Sequence, residues 1–79
     1  MKYDEFAQLV SHGFECFFYV NNQKYWISNN EAGYYLTLEQ QNRPLSYEEF
    51  VTGAELIRNA RIEGKSLKEL WDQISDSFL

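Results

Sequence analysis

The stretch FECFFYVNNQKYWIS, residues 14–28, decides the fold. Two runs rich in aromatic and β-branched residues flank Asn21 and Asn22, and asparagine tolerates the positive φ angles that a two-residue hairpin turn requires. The segment is therefore predicted to form a β-hairpin. Its register gives three cross-strand pairs: Phe18 with Tyr25, Cys16 with Ile27, and Phe17 with Trp26.

This register divides the hairpin into two faces, because side chains alternate along a strand. The predicted core face is apolar and holds Phe14, Cys16, Phe18, Val20, Tyr25 and Ile27. The other face holds Glu15, Phe17, Tyr19, Lys24, Trp26 and Ser28. Its three aromatics have two interpretations: they are buried because the sheet is covered on both sides, or they form a protein-binding surface. A register slip of one residue would exchange the two faces.

The remaining segments predict an α+β domain that spans residues 1–79, with the order αβββαα. A helix is expected at 3–12, a third strand at 34–39, a polar connection at 40–45 that includes Pro44, and helices from Ser46 and over 66–76. The expected architecture is a three-stranded antiparallel meander with the helices packed on one face.

The triplet Gly64-Lys65-Ser66 resembles the end of a phosphate-binding loop. Such a loop also needs a glycine five positions before Gly64, where this chain has Asn59, and a parallel βαβ setting. The alternative is a junction between two helices, in which Gly64 follows one helix and Ser66 caps the next. Ser66 and Glu69 match the S-x-x-E capping box, and so do Ser46 and Glu49. We therefore expect no nucleotide site.

Composition excludes several classes of protein. The 79 residues include one Cys and one His, too few for a disulfide or a Cys/His zinc site, and the net charge of −5 disfavours direct binding of nucleic acid. No apolar run approaches the length of a membrane span, and the acidic N-terminal stretch does not resemble a signal peptide. We expect a cytoplasmic protein with no membrane contact, no cofactor and no metal.

Candidate catalytic groups are few. Cys16 and His12 form a nucleophile–base pair on paper, but no third orienting residue is evident and Cys16 falls on the predicted core face. Glu48 and Glu49 are adjacent residues of a predicted helix, so their carboxylates diverge and suit a first turn better than a shared proton. The chain is expected to be non-enzymatic, with no catalytic residue.

The overall pattern resembles small uncharacterised α+β proteins of Gram-positive bacteria and their phages. The hairpin and the segment GKSLKELW, residues 64–71, carry this resemblance, which covers nearly the whole chain and assigns no residue a role. Small acidic proteins of mobile elements also resemble, in size and charge, anti-CRISPR and other anti-defence inhibitors, immunity proteins and antitoxins.

These observations predict a non-enzymatic, acidic protein-binding module, encoded by a phage or mobile element, that inhibits a nucleic-acid-binding host enzyme. The expected partner is a larger, basic protein; an immunity protein or antitoxin and a self-associating structural module are the alternatives, and a homodimer is possible. The candidate partner-binding residues are Phe17, Tyr19, Trp26, Glu48, Glu49, Glu55, Glu69, Asp72 and Asp76. Asp72 and Asp76, with Glu69 nearby, form an acidic stripe for which a solvated face is the simpler explanation.

Overall fold

The computed structural model describes residues 1–39 and 46–78. The expected polar connection at 40–45 lies outside the described residues. The elements are α1 (Tyr3–Ser11), β1 (Cys16–Val20), β2 (Gln23–Asn30), β3 (Gly33–Glu39), β4 (Ser46–Phe50), α2 (Gly53–Asn59), β5 (Arg61–Ile62), β6 (Lys65–Ser66) and α3 (Trp71–Asp76). Strands β1 to β4 form an antiparallel sheet in sequence order, and β5 and β6 form a separate two-stranded ladder. The predicted α+β class is confirmed.

The hairpin of β1 and β2 is confirmed in detail. Asn21 and Asn22 have φ angles of 51° and 64°, the left-handed values that a two-residue turn of this kind requires. The predicted register is also present, with three of its pairs as expected: Cys16 with Ile27, Phe17 with Trp26, and Phe18 with Tyr25. A slipped register is therefore excluded.

The segment 46–50 is a strand, so the prediction that a helix begins at Ser46 is wrong. β4 pairs with β3 and places Tyr47 opposite Thr37 and Glu49 opposite Tyr35. The expected capping box of Ser46 and Glu49 does not form. α2 begins at Gly53 instead, and the Thr52 hydroxyl accepts a hydrogen bond from the Glu55 N–H at 3.1 Å. Pairing with the exposed edge of β3 has overridden a local helical pattern.

The segment around Gly64 also differs from the helix junction that was expected. Glu63 and Gly64 have φ angles of 52° and 82° and form the turn between β5 and β6. The capping box of Ser66 and Glu69 is confirmed: the Ser66 N–H donates to the Glu69 carboxylate at 2.9 Å, and the Glu69 N–H donates to the Ser66 hydroxyl at 3.1 Å. This box closes the turn that leads into α3, which begins at Trp71 and not at 66.

The core lies between one face of the four-stranded sheet and the helices. Its fully buried side chains come from the sheet and from every helix, and the largest are Phe6, Phe18, Ile27, Leu56, Ile62, Leu67 and Ile74. Trp71 is half-buried and lies against α1, with its ring 4.9 Å from that of Phe6. The helices therefore cover one face of the sheet, as predicted.

Gly53 marks the closest approach between α2 and α1. A Cβ at this position would lie 2.5 Å from the Val10 carbonyl oxygen and 2.8 Å from the Ser11 Cα. Both are main-chain atoms, so they can give way only if a whole helix shifts. The absence of a side chain at Gly53 therefore lets α2 follow directly on β4 while packed against α1.

Replacing Gly53 with alanine is expected to destabilise the protein strongly, by about 3 kcal/mol or more, because the new methyl group overlaps main-chain atoms. Gly64→Ala is the matched control: a Cβ there meets nothing within 4 Å, so only the φ of 82° opposes it. The control should lower the free energy of unfolding by about 1–2 kcal/mol. Urea denaturation of both variants gives the comparison, and equal losses would show that α1 and α2 do not approach as described.

Candidate protein-binding surface

The sheet face that points away from the helices is the candidate functional site, and we call it the outer face. It is built from alternate residues of the four strands: Phe17, Tyr19, Lys24, Trp26, Ser28, Tyr35, Thr37, Glu39, Tyr47 and Glu49. Their neighbours along each strand point into the core, so the alternation that buries the core face also determines the outer one.

A row of side chains crosses the outer face at right angles to the strands. The register places Phe17, Trp26, Thr37 and Tyr47 side by side on β1, β2, β3 and β4. The rings of Phe17 and Trp26 are 5.5 Å apart. Thr37, which lies between Trp26 and Tyr47 in this row, is only 7% exposed.

The aromatic side chains of this face are accessible to solvent. Phe17 is 37% exposed, Tyr19 40% and Tyr47 60%, while Trp26 and Tyr35 are intermediate. The Tyr35 and Tyr47 rings lie 5.8 Å apart in an edge-to-face arrangement. The interpretation that the hairpin aromatics are buried by a second covering layer is therefore wrong. Clustered aromatics on a small protein are typical of an interaction surface.

The charges on the outer face are mainly negative. Lys24 contributes the positive charge: its ammonium lies 4.5 Å from the centroid of the Phe17 ring and 3.7 Å from the Glu39 carboxylate. Glu49 stands beside Tyr35, and its carboxylate has no hydrogen bond or ion pair among the described residues. The aromatics thus lie between a lysine that is already paired and a carboxylate available to a partner.

The structure brings four of the predicted partner-binding residues onto the outer face: Phe17, Tyr19, Trp26 and Glu49. The other five carboxylates lie elsewhere. Glu48 is on the opposite face of β4, where it accepts a hydrogen bond from the Arg61 N–H at 3.3 Å. Glu55 accepts one from the Val51 N–H at 3.3 Å, beside the N-terminus of α2.

Glu69 is held in its capping box, and the hydrogen bond from the Ser66 N–H lowers the pKa of its carboxyl group. Asp72 and Asp76 are exposed on α3. The six carboxylates among the candidate partner-binding residues are therefore spread over β4, α2, the turn before α3, and α3 itself.

Two aromatic residues of the outer face, Tyr35 and Tyr47, were not among those predicted from the sequence. Tyr35 could have been found by extending the alternation of the hairpin into the third strand, because one tyrosine of the Tyr34-Tyr35 pair must face each way. Tyr47 could not, since residues 46–50 were interpreted as a helix. The periodicity of SYEEFV suits a helix as well as a strand, and only the pairing with β3 decides between them.

The structure places Cys16 and His12, the candidate nucleophile and base, in different surroundings. Burial raises the pKa of the Cys16 thiol to about 12, so it is protonated near neutral pH. His12 is exposed, and its Nδ1 lies 2.7 Å from the Gln8 carbonyl oxygen. No group of three or more His, Cys, Asp or Glu side chains in residues 1–39 and 46–78 could hold a metal ion.

A pocket of about 140 Å³ lies between the β4 side of the sheet and the β5–β6 turn, with Tyr25, Leu36, Glu48 and Arg61 in its wall. Ligand pockets are usually about 300–1,000 Å³, so this one is small for a substrate. Of the helices that the structure describes, none has the length and apolar character needed to cross a membrane.

Comparison with known proteins finds no matching family model, no matching curated protein and no matching solved structure. The resemblance to small proteins of Gram-positive bacteria and phages therefore stays a prediction.

Cys16 provides a test of which face of β1 is buried. At pH 8 a thiol reagent should modify the folded protein far more slowly than the denatured one, because a pKa of about 12 in place of 9.0 lowers the thiolate fraction about 1,000-fold. Because the folded pKa is the higher one, the stability that this thiol contributes should be lost as the pH rises from 9 towards 12. Rapid modification of the folded protein would place Cys16 on the outer face.

Proposed function

We propose that this protein is a non-enzymatic binding module whose outer face docks on a larger, basic protein. The observation that carries the proposal is the row of solvent-accessible aromatic side chains on the sheet face opposite the described helices. Tryptophan and tyrosine dominate the energetics of protein interfaces because they bury a large apolar area with few rotatable bonds. Trp26 and Tyr47 are the strongest candidates, since both stand within the row.

The size of the outer face indicates which neighbouring elements take part. Four strands of about five residues cover roughly 17 by 19 Å, or about 320 Å² in projection. A stable interface buries about 800 Å² of accessible surface on each partner, so we expect contacts to extend beyond the sheet. On the β1 side the next element is α3, whose Ser77 cap lies against Tyr19, and Asp72 and Asp76 are exposed on that helix. We therefore include both aspartates in the proposed surface.

Charge supports a basic partner. The chain carries a net charge of −5, and the proposed surface combines Glu49 with the aspartates of α3. Opposite charge speeds association and selects among partners. A groove that binds nucleic acid is a surface of this kind, because it must neutralise phosphates.

Our specific proposal is an inhibitor, encoded by a phage or mobile element, that acts in the cytoplasm on a nucleic-acid-binding host enzyme. An immunity protein or antitoxin would use the same surface on a different target. A self-associating module is the alternative from another class. It would bury the outer faces of two copies against each other, and the exposed aromatics favour it as much as they favour a foreign partner.

The test is affinity capture from bacterial lysate with matched variants, followed by binding of the purified captured protein. Trp26→Ala and Glu49→Lys should each abolish or greatly weaken capture of a basic, nucleic-acid-binding protein, because they remove the central aromatic and reverse the free carboxylate. Leu9→Ala and Asp4→Lys are the controls, since both residues are exposed on α1, which packs on the other side of the sheet. Capture should also weaken as salt rises.

Circular dichroism of each variant must first show an unchanged fold. Capture that survives both Trp26→Ala and Glu49→Lys would overturn the proposal. Recovery of nothing but the protein's own copies, with a dimer in sedimentation that Trp26→Ala dissociates, would establish the self-associating module instead.

A further inference from the structure

The two edge strands of the four-stranded sheet, β1 and β4, differ in the contacts that their outward main-chain groups make. At the β1 edge, the Ser77 hydroxyl accepts a hydrogen bond from the Tyr19 N–H at 2.8 Å and lies 3.0 Å from the Tyr19 carbonyl oxygen. The Gln73 side chain accepts a further bond from the Asn21 N–H at 3.2 Å. Side chains of α3 and its C-terminal cap therefore occupy the Tyr19 end of this edge, which blocks the addition of another strand at that end.

The position of Tyr19 also determines, for every strand of the sheet, which neighbouring strand each residue's main-chain groups bond to. The main-chain N–H and C=O of Tyr19 bond to Ser77, so they point away from β2 and Tyr19 forms a non-hydrogen-bonded pair with Lys24. Along an antiparallel ladder, hydrogen-bonded and non-hydrogen-bonded residue pairs alternate. Lys24, opposite Tyr19, therefore bonds to β3, and so does Trp26, two residues further along. Thr37, the partner of Trp26, then bonds to β2.

The same alternation determines which main-chain N–H and C=O groups of β4 have no partner in β3. Because Thr37 bonds to β2, its neighbour on β4, Tyr47, directs its N–H and C=O out of the sheet, and so does Glu49. No hydrogen bond to these main-chain groups occurs within residues 1–39 and 46–78. Both residues are exposed, so the β4 edge offers an accessible row of donors and acceptors.

We infer that the β4 edge is a docking site for an extended, basic segment of the partner protein, which adds to the sheet as a fifth strand. This inference rests on the proposed function and specifies how its partner binds. Main-chain hydrogen bonds to Tyr47 and Glu49 would supply affinity, and the side chains beside them would supply selectivity. Pairing at this edge would also bury area in addition to that of the outer face.

The charges of β4 select the occupant. A second copy that paired antiparallel about Glu48 would set that carboxylate against its own equivalent, and like charges directly opposite one another destabilise a sheet. A segment that bears arginine would instead place a positive charge beside the carboxylates of β4. Its guanidinium can pair with the free carboxylate of Glu49 and stack on the exposed ring of Tyr47, two residues away on the same face.

The test uses a blocked peptide of about seven alternating arginine and valine residues, the length of a short strand. Titrated into isotopically labelled protein, it should shift the amide signals of Tyr47 and Glu49 and slow their hydrogen exchange. Two control peptides should bind more weakly: one with glutamate in place of arginine, and one with N-methylated amides along the pairing edge. The first removes the charge complementarity and the second removes the main-chain donors.

Two variants separate the side chain of Glu49 from its main chain. Glu49→Ala removes the carboxylate and should weaken binding of the arginine peptide about two- to fivefold. Glu49→Pro also removes the outward N–H, which takes no part in the ladder with β3, and should weaken binding by about a further two- to tenfold. An amide spectrum of the folded type confirms that each variant is intact.

The possible outcomes keep this inference distinct from the proposed function. Equal binding by Glu49→Ala and Glu49→Pro, or signal changes confined to Trp26 and the middle of the outer face, would overturn edge docking and leave the outer face as the proposed site. Absence of binding by the arginine peptide at millimolar concentration would also overturn it. A dimer of the free protein that Glu49→Pro dissociates would show that the occupant is a second copy.

Discussion

The turn at Asn21 and Asn22 is the constraint on which the rest of the structure depends. Its left-handed residues leave no extra position between β1 and β2, so the register of the hairpin is fixed. Since a slip of one residue would exchange the two faces of a strand, this turn places Phe18 with Tyr25 on the face that the helices cover and Phe17 with Trp26 on the other face. Strands β3 and β4 continue the same alternation, so the outer face is a consequence of the first turn.

Local sequence was sufficient wherever a short-range signal and the tertiary contacts agree. The hairpin, α1 and the third strand were predictable for this reason, and the Ser66–Glu69 capping box was as well. Residues 46–50 were not, because their pattern fits a helix and the interaction that makes them a strand is a non-local pairing with β3. Strands β5 and β6 have two residues each, too few to show an alternation of apolar and polar residues in the sequence.

The candidate site likewise contains residues that local sequence places and residues that only non-local contacts place. Phe17, Tyr19 and Trp26 could be placed on one face from the hairpin alone, although whether that face was covered needed the positions of the helices. The acidic surface could not be assembled, because spacing along the chain does not show that Glu48 and Glu49 point to opposite faces of a strand. Nor does it show that Glu55 and Glu69 are committed to main-chain N–H groups.

The pairing of β4 with β3 is the central claim, because it supplies Tyr47 and Glu49 to the outer face and also creates the exposed edge. Contacts between α-protons measured by nuclear Overhauser spectroscopy test it directly, since non-hydrogen-bonded antiparallel pairs bring Cα atoms to about 4.5 Å. The structure predicts strong contacts between Thr37 and Tyr47 and between Tyr35 and Glu49. Helical contacts between residues three apart within 46–50, with both cross-strand contacts absent, would contradict it.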